Sequence, residues 1–151
     1  WAMTAAETGH LVLGTLHTTG AVKTIDRIVD ALPADEREQT KAFLSNSLIA
    51  VITQLLVKTA DQRGRKAICE VMVVTRAIGK LIQTDQTHQI PSQLQMGKDL
   101  GMQLLDQALL SNVQAKEIDP DDAYVYANDK KVFARFVTDT SVLPKLDLAP
   151  G

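Results

Sequence analysis

The chain has a single cysteine, Cys69, among 151 residues, so no disulfide can form within it. Cys69 lies in the apolar run "AICEVMVV", where a lone thiol reads as buried core packing. Aromatic residues amount to only 4%, too few for a platform that stacks the bases of a single strand. Neither sign of charge dominates. The formal net charge is -2, which offers no basic field for nucleic acid or an anionic membrane. No apolar run reaches the roughly 18 residues that a membrane span needs, and no signal peptide is visible. The three histidines and Cys69 do not cluster at ligand spacing, so no metal site is expected. There is no Gly-x-Ser-x-Gly elbow. A phosphate loop is also missing. Gly79–Lys80 and Gly97–Lys98 have Val74 and Ser92 five places before the glycine, and Leu81 and Asp99 after the lysine. These absences suit a cytoplasmic protein with no nucleic-acid partner and no direct membrane insertion.

What remains is an ordinary globular composition, 45% hydrophobic and 23% charged, long enough for one domain with a core. The chain opens "WAMTAAETGH", with no initiator methionine and inside a helix-like pattern, which is expected of a piece of a longer protein.

Residues 2–8 read as the tail of a helix that ends near Gly9, because glycine accepts the left-handed cap conformation. "HLVLGTLHT" (10–18) is apolar nearly throughout and predicts a strand buried on both faces, as in a parallel sheet. Thr18, Thr19 and Gly20 can cap the next helix, which carries Val22, Ile25, Ile28, Val29 and Leu32 at helical spacing. Pro33 stops that helix and opens another over "ADEREQTKAFLSNSLI", with acids in its first turn. "AVITQLLVKT" and "RKAICEVMVV" predict a hairpin or adjacent strands. "TRAIGKLIQTD" and "THQIPSQLQM" predict short helices. "DLGMQLLDQALLSNV" predicts an amphipathic helix with Leu100, Leu104, Leu105, Ala108 and Leu109 on one face. Asp119 caps a further helix with Pro120 after it, and residues 138–151 read as a loose tail. The order predicts an α/β fold with part of an open, mainly parallel sheet and a helical C-terminal half.

The candidate chemistry lies in "HTTG". On a strand, His17 falls at the C-terminal end, where open α/β sheets bind ligands. The turn then combines an imidazole, two hydroxyls and the free N–H groups of a helix N-terminus, a set that suits a phosphate. The alternative is that His10 and His17 are hydrogen-bonded scaffold residues. Glu70, between apolar neighbours, faces solvent or meets an arginine such as Arg27. Arg27 and Asp26 form a solvated face or touch a neighbouring subunit. His88 is expected to be exposed, and one of Tyr124 and Tyr126 to pack.

The stretch "AAETGHLVLGTLHTTGAVKTIDRIVDALP" resembles the histidine box of the secretion ATPases, the motor family of type II secretion and type IV pili. "TAAETGHLVLGTLHT" followed by "TIDRIVD" is most similar to the pilus-retraction branch. "SLIAVITQLLVK", "GRKAICEVMVVTRAIGKLI" and "LGMQLLDQAL" continue the likeness in order, from Ala2 to about Val137. The resemblance implies the C-terminal part of a RecA-like ATPase domain (1–75) with a partial sheet, a helical C-terminal subdomain (76–137) and a flexible tail (138–151). It further implies a homo-hexameric ring, ATP and Mg2+ as ligands of the longer protein, and an inner-membrane pilus platform protein as partner. The work would be pilus retraction and twitching motility, done in the cytoplasm at the inner face of the inner membrane.

By the same resemblance His17 aligns with the box histidine that faces the nucleotide γ-phosphate, and His10 with its companion. Thr15, Thr18 and Gly9 belong to the nucleotide-binding part of the box, or serve as structural support. The family's Walker A loop, acidic box, Walker B strand and arginine-bearing N-terminal domain all precede the box and are not in these residues. The isolated piece is therefore expected to lack ATPase activity and to need no cofactor. Retraction-type members typically read Ala-Ile-Arg-Asn-Leu-Ile in a segment linked to retraction. Here it reads Ala77, Ile78, Gly79, Lys80, Leu81, Ile82, and the apolar four either form a partner-facing segment or simply pack as a helix face. Gly79 is expected to weaken that helix by about 1 kcal/mol relative to alanine. The family's tetracysteine zinc module is missing, which favours retraction over extension. The alternatives are a pilus-extension or type II secretion ATPase, or a non-catalytic interaction module.

Overall fold

The computed structural model describes residues 1–144. The chain begins with helix α1 (Ala2–Glu7), followed by a stretch without helix or strand, then α2 (Ala21–Asp30) and α3 (Arg37–Ser47). A hairpin follows, β1 (Ala50–Lys58) and β2 (Arg65–Val73), and then α4 (Arg76–Gln83) and α5 (Ile90–Met96). The helices α6 (Leu105–Gln114), α7 (Pro120–Tyr126) and α8 (Lys130–Ala134) complete the described chain, with short 3-10 turns at 87–89, 98–100 and 140–142. Among the described residues the sheet is this two-stranded hairpin, and no helix is long and apolar enough to cross a membrane.

Two units form by contact, residues 1–54 with 69–104, and residues 55–68 with those from 105 on, so the hairpin strands run through both. The first unit's core gathers Ala21, Ile25 and Val29 from α2, Leu44 from α3, Val51 and Met72 from the strands, and Ile78 and Ile82 from α4. The i, i+4, i+8 spacing in α2 and the i, i+4 pair in α4 are what one buried helical stripe requires. Each fully buried aliphatic side chain contributes about 1.5–3 kcal/mol. The second unit's core holds Val57, Ile68, Leu105, Leu109, Ile118, Tyr124 and Phe133. Tyr124 is buried and Tyr126 exposed, as two residues apart on a helix demand, and His88 is exposed.

Several expectations hold in detail. α1 ends in a left-handed glycine, Gly9 at φ 90. The Gly9 and His10 N–H groups return to the carbonyls of Ala6 and Ala5, the two bonds of a Schellman cap. Asp119 caps α7, accepting from the N–H of Asp121 at 2.8 Å, and Pro120 follows at the first helical position.

Others do not. The predicted strand 10–18 forms no strand or helix, and its apolar residues are exposed, Leu11 at 77% and Leu13 at 89%. A strand exists only through hydrogen bonds to a neighbour, and no strand among the described residues lies beside it. The open parallel sheet is accordingly not assembled by these residues. Pro33 does not open α3. It sits in a turn, and the helix starts at Arg37 with Glu36 as its cap residue. The helix predicted from Asp99 begins only at Leu105. Gly101 takes a left-handed conformation, φ 81, and Gln103 pairs with Val71 as an antiparallel bridge, so the chain bends before the helix can start. Leu100 is therefore exposed, and Leu104 and Leu105 join different cores. Cys69 is half-buried rather than buried, because strand alternation turns Ile68, Glu70 and Met72 inward. The tail is anchored at its start. Thr138 and Asp139 donate backbone N–H bonds to Asp121, and Val142 and Leu143 pack on the second core. The remainder of that predicted tail, 145–151, lies outside the described residues.

Candidate functional site

The turn before α2 places His17, Thr18 and Thr19 on a shallow recess shared with Lys23, Asp26, Arg27 and Asp30 of α2. His17 is exposed, with its ring unburied and its backbone held, since Arg27 Nη1 donates to the His17 carbonyl at 3.3 Å. Thr18 and Thr24 share a hydroxyl–hydroxyl bond of 2.6 Å, and the Thr24 hydroxyl donates to the Gly20 carbonyl at 2.8 Å. The turn is thus tied to the first and second turns of α2, and His17 itself remains exposed.

The helix N-terminus at this turn differs from expectation. Gly20 is the cap residue and offers no side chain. The Ala21 N–H is not free for a phosphate. It donates at 2.8 Å to Oε1 of Glu70, which is 8% exposed. Glu70 is therefore turned inward rather than toward solvent, while Arg27 donates to the His17 carbonyl. A carboxylate at a helix N-terminus is stabilised by the helix dipole and by the hydrogen bond itself. The Thr18 hydroxyl is spent as donor to Thr24, so the recess offers the imidazole, the Thr19 hydroxyl, Lys23 and Arg27, with Asp26 and Asp30 beside them.

Not every predicted residue joins this recess. His10 is exposed at the end of α1, its Nδ1 3.0 Å from the Thr8 hydroxyl, and Gly9 belongs to the same cap. Thr15 is exposed on the unpaired stretch. In α4, Ile78 and Ile82 are fully buried in the first core and Leu81 packs against it, while Ala77 is exposed. Packing is therefore what three of these four side chains do. Gly79 has a specific reason. A Cβ at this position would stand 2.6 Å from the Ser45 backbone carbonyl oxygen, so α3 and α4 approach through the missing side chain.

Among the described residues no three His, Cys, Asp or Glu side chains come together to hold a metal ion. A Mg2+ ion carried mainly by nucleotide phosphates needs no such cage. The residues that sequence reasoning missed are Thr24 and the capping role of Glu70. The signal for the second was an acid at an inward-facing position of a strand.

A histidine-bearing turn at the start of a helix, a hairpin and a helical C-terminal region are shared with solved ATPases of RecA-like fold. Residues 1–119 match the model of the type II/IV secretion system protein family, and the chain belongs to that family. It is 53% identical over 122 residues to a twitching motility protein of Neisseria gonorrhoeae, covering 81% of this chain and 33% of that protein. It is 54% identical over 108 residues to the type IV pilus retraction ATPase PilT of Pseudomonas aeruginosa, covering 72% of this chain and 31% of that one. A crystal structure of the pilus retraction motor PilT with bound ADP superposes with a TM-score of 0.77 at 37% identity, over 89% of this chain and 37% of that one. The ATPase DotB of Legionella pneumophila gives 0.66 at 25% identity, over 82% and 33%. The chain thus spans about a third of the length of the curated relatives it matches.

Proposed function

We propose that the protein to which these residues belong is an ATP-hydrolysing, homo-hexameric motor that powers type IV pilus retraction and twitching motility. The observation that carries this is identity above half with a twitching motility protein and a pilus retraction ATPase, across most of the chain. On this reading residues 1–75 complete the ATPase core and 76–137 form its helical subdomain. ATP and Mg2+ are ligands of the whole protein, and the 151-residue piece does not hydrolyse ATP by itself. The motor works in the cytoplasm against a platform protein of the inner membrane.

His17 is the residue that faces the terminal phosphate. Its exposed ring can donate a charge-assisted bond that exists only while that phosphate is present. Losing the bond on hydrolysis biases a two-state arrangement of domains. Thr18 and Thr15, with Gly9 and His10, shape the segment that carries it. In α4 the exposed Ala77 is the part of the retraction-linked segment that can meet a partner.

The test is His17→Ala in the full-length protein. ATP turnover and twitching should fall while the melting temperature holds. Wild-type turnover in that variant would end the sensing assignment. A second reading is the same motor driving another cargo. The likeness to DotB and the Gly79–Lys80 pair favour it, and a pilus-retraction assay separates the two.

A further inference from the structure

We infer that Glu70 is a positioning residue for His17, linking strand β2 to the phosphate-facing turn. This rests on the assignment of His17 to the terminal phosphate. Glu70 is buried on the inward face of β2, and its Oε1 reaches 49 residues back along the sequence to the Ala21 N–H, at 2.8 Å. The same oxygen lies 3.7 Å from the point where a Cβ on Gly20 would stand, so the carboxylate rests against the backbone of the turn itself. The cap residue, Gly20, has no side chain of its own to cap α2.

From Ala21 the support passes to His17 by short steps. Thr24 bonds both the Gly20 carbonyl and Thr18, and Arg27 holds the His17 carbonyl. Glu70 thereby sets where α2 begins, and α2 sets where the imidazole stands. β2 is itself anchored one residue further on, where Val71 and Gln103 exchange both backbone bonds at 2.9 Å, and it leads into α4 at Arg76. The carboxylate is thus a joint between the turn and the strand that feeds the helical subdomain. It also keeps an anion at the α2 N-terminus, so an arriving phosphate is left to the imidazole rather than to the helix end.

The experiment uses the full-length protein and measures kcat, KM for ATP and melting temperature for Glu70→Ala, Glu70→Gln, His17→Ala and the double variant His17→Ala with Glu70→Ala. A displaced imidazole lowers kcat by about tenfold or more in Glu70→Ala, with KM little changed. Glu70→Gln keeps an acceptor for the Ala21 N–H and should recover most of the rate. Because Glu70 acts through His17, adding Glu70→Ala to His17→Ala should cost nothing more in kcat. Additive losses, or a normal kcat in folded Glu70→Ala, would overturn the inference while leaving His17 assigned. Normal turnover in His17→Ala would remove the assignment and the inference together. If Glu70→Ala does not fold, Glu70→Asp, which withdraws the carboxylate by one methylene, answers the same question by the same comparison.

Discussion

Residues 10–18 and residues 50–58 are close equivalents as text. Each is a nine-residue, mostly apolar run, "HLVLGTLHT" and "AVITQLLVK". In three dimensions they part. Residues 50–58 form β1 and pair with β2, burying Val51, Thr53 and Val57 on alternate positions. Residues 10–18 stay outside any strand, with Leu11, Leu13 and Leu16 in solvent. The difference is not composition or propensity. A short turn at 59–64 brings β1 its partner, and nothing among the described residues brings one to 10–18. A strand is a relation between two segments, so a pattern in one segment states only readiness.

The contrast can be tested at four points, the largest effect first. Met72 is fully buried in the first unit's core, and Met72→Ala should destabilise the chain by about 2–5 kcal/mol in urea unfolding. Gly79→Ala comes next. It adds about 1 kcal/mol of helix propensity but drives a methyl group into the Ser45 carbonyl. Overpacking of this kind costs about 1–3 kcal/mol, so a lower unfolding midpoint is expected. This reverses the simpler view that glycine is only a weakness in α4.

The third effect is local and depends on pH. Burial pushes the Asp121 carboxyl up, but hydrogen bonds from the Thr138 hydroxyl and from the Thr138 and Asp139 N–H groups outweigh it, holding Asp121 below its ordinary value of 3.8. A carboxylate depressed in the folded state stabilises that state above the unfolded value and loses the effect as pH falls through the folded one. The amides of residues 138 and 139 should therefore be protected at neutral pH and lose protection below about pH 4. Asp121→Asn should remove that pH dependence, as amide exchange would show.

The smallest effect is the most telling. Leu13 is 89% exposed, so Leu13→Ala should change the stability of the 151-residue chain by less than about 0.5 kcal/mol. If a longer chain pairs this segment into a sheet, the same substitution there costs about 2–5 kcal/mol. Fast amide exchange at 11–17 in the short chain and slow exchange in the long one would report the same change directly.

Much of the site was legible beforehand, for identifiable reasons. Gly9 and Asp119 act on their own backbone neighbours within a few residues, so their caps follow from residue type and spacing. The stripes Ile25–Val29 and Ile78–Ile82 follow from helical periodicity, and the hairpin from two β-rich runs close in sequence. The histidine box was recognised because its residues are local to one another. Glu70 was visible only as an acid in an apolar strand. Its partner, 49 residues away, was not.

Local order was written along the chain, as it depends on interactions within a turn or two. The end of α1, the cap of α7, the hairpin and the turn carrying His17 belong to that class. The tertiary structure decided what depends on distant segments. It filled the α2 N-terminus with Glu70, explained Gly79 through the Ser45 carbonyl, bent the chain at Gly101 and left residues 10–18 without a neighbour. Hydrogen bonds and steric contacts between remote segments have no period and no spacing in sequence, so only the assembled fold reveals them.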